Sequence, residues 1–182
     1  NGTEAEPFIL KTADHLAWFR DYVNVGKTSA CAKIADDVEE IDMSSVCHKA
    51  DAEKQVAELS WTPIGSKKYQ GTFDGNGKTI RNLFISSTSD EIGFFGYAAD
   101  CRIKNITFDN AKVKGNDNCS TGILAGYAGS CVIENIKTTG NCSVEGNYET
   151  GGIAGRANGN ISNCENHAIV KGSCYVGGIV GI

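Results

Sequence analysis

Three residues stand in equivalent places of a recurring glycine unit. The residue after each closing glycine is Tyr97, then Tyr127, then Arg156. If successive units stack, these form a column of two flat rings and a guanidinium. That chemistry is recognition: rings and a cation at regular pitch suit a sugar or an extended peptide. Bond-making on polysaccharides needs clustered carboxylates, or acidic calcium ligands with a basic proton acceptor. Here Asp74, Asp90, Glu91, Asp100, Asp109 and Asp117 are scattered over different landmarks. His15, His48 and His167 are far apart and set up neither a metal site nor a Cys/His pair. The run Asp74-Gly-Asn-Gly77 lacks the later glutamate of a calcium loop and reads as a tight turn. The sequence therefore predicts no catalytic residue, no metal site and no cofactor.

The eight cysteines, at 31, 47, 101, 119, 131, 142, 164 and 174, contain no CxxC. Their spacing fits neither a zinc ribbon nor a thioredoxin motif, and favours disulfides in an oxidising compartment. Cys101 and Cys131 each sit two residues before the first Ile of an Ile-x-Asn unit. They are expected on the same rung of adjacent coils, within reach of a disulfide. Cys31 and Cys47 are candidates to staple the first part of the chain. Pairings among Cys119, Cys142, Cys164 and Cys174 stay open.

These residues are positioned by repeats. One unit is Ile92-Gly-Phe-Phe-Gly96, Gly122-Ile-Leu-Ala-Gly126, Gly152-Ile-Ala-Gly155 and Gly178-Ile-Val-Gly181, with closing glycines 30, 29 and 26 residues apart. A second is Ile80-Arg-Asn-Leu83, Ile103-Lys-Asn-Ile106, Ile133-Glu-Asn-Ile136 and Ile161-Ser-Asn-Cys164. A third is Val113-Lys-Gly115, Val144-Glu-Gly146 and Val170-Lys-Gly172. Each is short, β-branched and ended by Gly or Asn, without a helical period. A 26–30-residue repeat with three short strands is one coil of a β-solenoid, stacked on the next at strand spacing. Ile123, Ile153 and Ile179 are expected to stack inward beneath Phe94. Asn82, Asn105, Asn135 and Asn163 are expected to form one corner ladder.

Residues 1–70 lack the repeat and read as a cap with the first irregular coils. Pro7–Lys11 reads as a strand. Thr12 reads as the N-cap of a helix over about 13–24, with Leu16, Phe19, Tyr22 and Val23 on one face and Gly26 closing it. Such a helix covers the open end of a solenoid. Residues 71–182 are the repeats. The chain stops after a glycine unit, so an open C-terminal end and further domains of a longer chain are expected.

Composition narrows the classes. The chain has 182 residues, 22 of them Gly, a hydrophobic fraction of 41% and a net charge of −5. That supports a packed core and argues against nucleic-acid binding. No run of apolar residues is long enough to cross a membrane as a helix, so direct insertion is not expected.

Trp61-Thr-Pro-Ile-Gly65, then Gly71-Thr-Phe-Asp-Gly-Asn-Gly-Lys-Thr-Ile80-Arg-Asn-Leu83, then the Gly-Ile-x-Gly units, resemble GLUG-motif repeat proteins. Glu6-Pro-Phe-Ile-Leu with Leu16-Ala-Trp-Phe19 is similar to the segment preceding such repeats. The resemblance covers nearly the whole chain and departs from the family in its many cysteines. It implies a right-handed parallel β-helix in large secreted or surface-anchored bacterial proteins, some adhesin-like and some regions of peptidases. It places no catalytic residue here.

The sequence thus predicts an all-β parallel solenoid with an N-terminal helical cap, outside the cell or on its surface. Its expected role is non-catalytic adhesion, binding a glycan or a host surface or matrix protein through Tyr97, Tyr127 and Arg156. A glycan-active enzyme, the substrate-recruiting region of a peptidase and a passive stalk are the alternatives.

Overall fold

The computed structural model describes every residue except Asp117, the one expected acidic candidate that lies outside the described residues. The chain is a parallel β-solenoid closed at its N-terminal end by a helix.

Four strands make a coil, always in the same order. In the second full coil they are Arg102–Asp109, Lys112–Gly115, Ser120–Gly122 and Ala125–Gly129. Each strand pairs in parallel with its counterpart one coil away. Among the described residues the strands form one eight-stranded sheet, two four-stranded sheets and one three-stranded sheet running along the axis. Pairing copies in register sets equivalent side chains one strand spacing apart, about 4.8 Å.

The inward columns are apolar. Phe73, Ile103 and Ile133 share one register position, and Ile85, Val113 and Val144 another; all are buried. Phe94, Ile123 and Ile153 are fully buried and linked through the backbone, Phe94 N donating to Ile123 O and Ile153 N to Ile179 O. Ile179, in the final described coil, is only partly buried. There Ile169, Tyr175, Val176 and Ile182 are exposed.

The glycine units have a steric cause. The strands Glu91–Ile92 and Phe95–Ala99 fold back on one another around a tight bend. A Cβ on Gly126 would lie 2.3 Å from Ile92 N, and one on Gly155 2.3 Å from Thr121 N. Both are backbone atoms of the neighbouring coil and cannot yield, so only glycine fits.

Corners are made by residues with left-handed backbone. Asn82, Asn105, Asn135 and Asn163 all have positive φ, between 51° and 61°. They do not form one ladder as expected. Asn135 Nδ2 donates to Asn105 Oδ1, and Asn105 Nδ2 to Asp74 Oδ1. Asn82 belongs to a second column, accepting from Asn110 and donating to Asp42. The cause is spacing: Asn82 lies 23 residues before Asn105, whereas paired positions of these two coils are 28–30 residues apart, so Asn82 meets Asn110 instead. Gly75-Asn76-Gly77 turns tightly inside the strand Thr72–Arg81, Asn76 and Gly77 at positive φ and Asn76 N–H donating to Asp74 Oδ1, as a bulge that shifts the register between Asp74 and Lys78. Ile80 therefore pairs with Phe108, and Phe73 takes the place beside Ile103.

The cap helix Ala13–Asn24 begins at Thr12, whose hydroxyl accepts from His15 N. Gly26 follows with φ +108°, its N–H donating to Val23 O. Leu16, Phe19 and Val23 are buried over the first coil, and the Phe19 ring lies 5.9 Å from Phe73. Trp61 is buried, stacked on Phe94 at 5.5 Å and 5°, with its indole N–H donating to Phe94 O. Residues 44–59 leave the solenoid as an antiparallel excursion held by His48–Leu59 and Asp51–Val56 bridges.

The expected Cys31–Cys47 staple is not formed. Cys31 Sγ accepts from Thr72 N and Cys47 Sγ from Phe84 N, each at 3.3 Å. Those contacts flank opposite ends of the ten-residue strand Thr72–Arg81, some 25–30 Å apart along an extended chain. A disulfide spans only about 4.4–6.8 Å between Cα atoms.

Candidate ligand-binding face

The three-stranded sheet, Phe95–Ala99, Ala125–Gly129 and Ala154–Ala157, carries the column that the glycine units foreshadow. Tyr97 pairs with Tyr127, and Tyr127 with Arg156. The tyrosine rings stack with centroids 5.2 Å apart and planes 5° from parallel. The Arg156 guanidinium lies over the Tyr127 ring, 5.4 Å from its centroid. Both rings are half-buried and Arg156 is exposed. The structure thus brings all three expected residues together on one outward surface.

In-register pairing explains the stack. Ala98 and Ala128 continue the strands inward, leaving each tyrosine on the opposite side. Parallel strands then hold the rings near their own spacing with no further adjustment. Offset parallel rings and a guanidinium over a ring face are both favourable arrangements.

The sequence does not group the residues around the column. Glu149 is buried, and its carboxylate lies 3.8 Å from Arg156 Nη1. Ser120 donates its hydroxyl to the same carboxylate. Glu91, Ser120 and Glu149 occupy one register column, so two carboxyl groups stand two coils apart with a hydroxyl between them. Burial, then the nearby charge of Asp90, holds Glu91 above the usual carboxylate range. Asn158 Nδ2 reaches the Tyr127 hydroxyl at 3.5 Å, and Lys68 pairs with Asp100 at 3.4 Å beside the same strands. These escaped notice because Glu, Ser and Glu do not repeat as one residue type; only the strand register aligns them.

Other faces carry charges in alternation. Lys33, Asp74, Lys104 and Glu134 follow one another in one column, and Lys114, Glu145 and Lys171 in another. Lys104 lies 3.3 Å from Asp74, and Lys114 3.7 Å from Glu145. Such surface pairs, Lys114–Glu145 exposed and Lys104–Asp74 half-buried, neutralise their own face, and an exposed pair adds only about 0–1 kcal/mol.

The expected Cys101–Cys131 pair is brought together as two thiols with Sγ atoms 2.6 Å apart. Cys164 shares the register of Ile136 and is partly buried, and Cys174 is exposed. Trp18 is on the cap, half-exposed and packed between Phe8 and Tyr22. Among the described residues no three His, Cys, Asp or Glu side chains gather as a metal site. Among the described residues no helix is long and apolar enough to cross a membrane.

The chain is similar to halomucin of Haloquadratum walsbyi, 36% identical over 107 residues, which is 58% of this chain and 1% of that protein. It is also similar to a Gly-rich membrane protein of Evansella cellulosilytica, 28% identical over 120 residues, 63% of this chain and 12% of that one. The chain thus spans a small part of both relatives. No family model and no solved structure matches it. The likeness is compatible with a module of a surface-associated protein.

Proposed function

We propose that this chain is a non-catalytic β-solenoid module of an extracellular or surface protein, and that it binds a glycan or a host surface protein through Tyr97, Tyr127 and Arg156. The observation that supports this is the stacked Tyr97–Tyr127 pair with Arg156 in register above it. Elsewhere on the long sheets charge is matched by charge, whereas this column offers aromatic surface. A rigid coil ladder presents individually weak contacts at regular pitch, and repetition along a longer chain adds avidity. The two relatives, one named a mucin and one a membrane protein, fit a surface setting. The resemblance to GLUG-motif repeats points the same way.

A second reading, a passive stalk, draws on the alternating charge columns, which leave two faces electrically quiet. A glycan-active enzyme would draw on carboxyl groups such as Glu91 and Glu149, which share a column. One experiment separates the readings: the 182-residue chain is applied to a glycan and matrix-protein array, and any bound glycan is followed for cleavage. Binding without turnover supports the module. Turnover would make it an enzyme, and no binding would favour the stalk.

A further inference from the structure

We propose that Cys101 and Cys131 are a paired oxidation site, closed as a disulfide that clasps the two coils carrying the stacked tyrosines. The register puts them side by side: Arg102 pairs with Val132, so the preceding cysteines face each other, and Val132 N donates to Cys101 O at 2.9 Å. Parallel strands hold such Cα atoms about 4.8 Å apart, inside the disulfide range. The sulfurs already approach to 2.6 Å, closer than two unbonded sulfur atoms pack.

The pairing is exclusive within its column. The same register places Gly71 below Cys101 and Gly159 above Cys131, so neither neighbouring coil offers a rival thiol at that position. Both cysteines are buried, 7% and 1% exposed, so a bond once closed is shielded from reductants. Cys101 and Cys131 each follow a tyrosine of the column by four residues. A bond between them fixes the spacing of the coils on which Tyr97 and Tyr127 are mounted. This holds whether or not that column binds a ligand.

The chemistry is thiol–disulfide exchange with a small-molecule disulfide such as oxidised glutathione. One thiol loses its proton to solvent, and its thiolate attacks the reagent, releasing one reduced reagent molecule and leaving a mixed disulfide. The second cysteine then loses its proton, and its thiolate displaces the other reagent half, forming the Cys101–Cys131 bond. Two electrons pass to the reagent, which leaves as two thiols. Because the pair is buried, the reaction belongs to folding, before the two coils seal.

The test is to refold the full chain in a mixture of oxidised and reduced glutathione, denature it, alkylate free thiols and map the peptides. The expected result is a cross-linked peptide joining Cys101 to Cys131. In Cys101→Ser, Cys131 should be alkylated, with the β-sheet circular dichroism unchanged. If both cysteines of the wild type are alkylated, or if either is joined to a different cysteine, the proposal is overturned. The wild-type map decides this even if the variant does not fold.

Discussion

Asn135 donates its side-chain amide to Asn105 Oδ1, one coil away, at 2.8 Å. Both residues have left-handed backbone, φ 55° and 61°. Two demands therefore fall on position 105: a corner that most side chains resist, and an amide that bonds on both sides.

Replacing Asn105 separates those demands. Asn105→Gly keeps the corner and loses the amide; Asn105→Ala loses both. The alanine variant should be the less stable, the left-handed conformation alone costing about 1–2 kcal/mol. Urea unfolding of the two variants checks this. Equal stabilities would mean the backbone demand is not felt.

Thr121 and Thr150 stand in one interior column between Ile92 and Val176, and both are fully buried. Among the described residues their hydroxyls have no hydrogen-bond partner. A buried unsatisfied hydroxyl costs about 1–3 kcal/mol. Thr121→Val should therefore raise the thermal midpoint. A lowered midpoint would show that the hydroxyl is satisfied in solution.

Ile153 is fully buried in the Phe94–Ile123–Ile153 column. Ile153→Ala should cost about 2–5 kcal/mol, the usual range for emptying such a site. The same change at Ile179, which is only partly buried, should cost much less. Denaturant midpoints of the pair test whether coil stability falls toward the last coil.

Two acids should titrate with opposite sign. A hydrogen bond from Thr139, opposed by slight burial and reinforced by Asn141 and Arg81, holds Asp109 below the usual carboxylate range. More protons bind it when unfolded, so its contribution is present above about pH 4 and is lost as pH falls through its folded value. Glu91 is held up by burial and Asp90. Its contribution is present below about pH 4.3 and is lost as pH rises through its folded value. Thermal midpoints from pH 2 to 7 should show a shallower acid fall in Asp109→Asn and a higher neutral plateau in Glu91→Gln. Unchanged profiles in both would remove these groups from the pH dependence.

Native thiol reactivity should follow burial. Cys174 is exposed, whereas burial pushes the Cys47 thiol up to about 11. At pH 8 an alkylating reagent should modify Cys174 first and leave Cys47 until the chain is unfolded. Early modification of Cys47, seen by peptide mapping, would contradict its placement.

The solenoid and its cap were legible because identity repeats: glycines, Ile-x-Asn units and the Thr12 cap each carry a local steric signature. Tyr97, Tyr127 and Arg156 were legible for the same reason, being tied to a glycine that only one geometry tolerates. The place of Asn82 was not, because its motif stands 23 residues before the next copy while the paired strands are offset by 28–30 residues, so a matching motif lies further along the strand. Cys31 and Cys47 misled because the strands Ala32–Ile34 and Glu40–Asp42 between them run side by side with one ten-residue strand and carry the two cysteines to its opposite ends. Glu91, Ser120 and Glu149 were invisible as a group, since a column of unlike residues leaves no repeat to read.

The alternating column Lys33–Asp74–Lys104–Glu134 has a period of two coils. Duplicating or deleting a single inner coil would set lysine on lysine or acid on acid in this column, while copying a pair would preserve its alternation. Growth of such a chain by recombination is therefore easier in even steps, and its coils are not interchangeable parts.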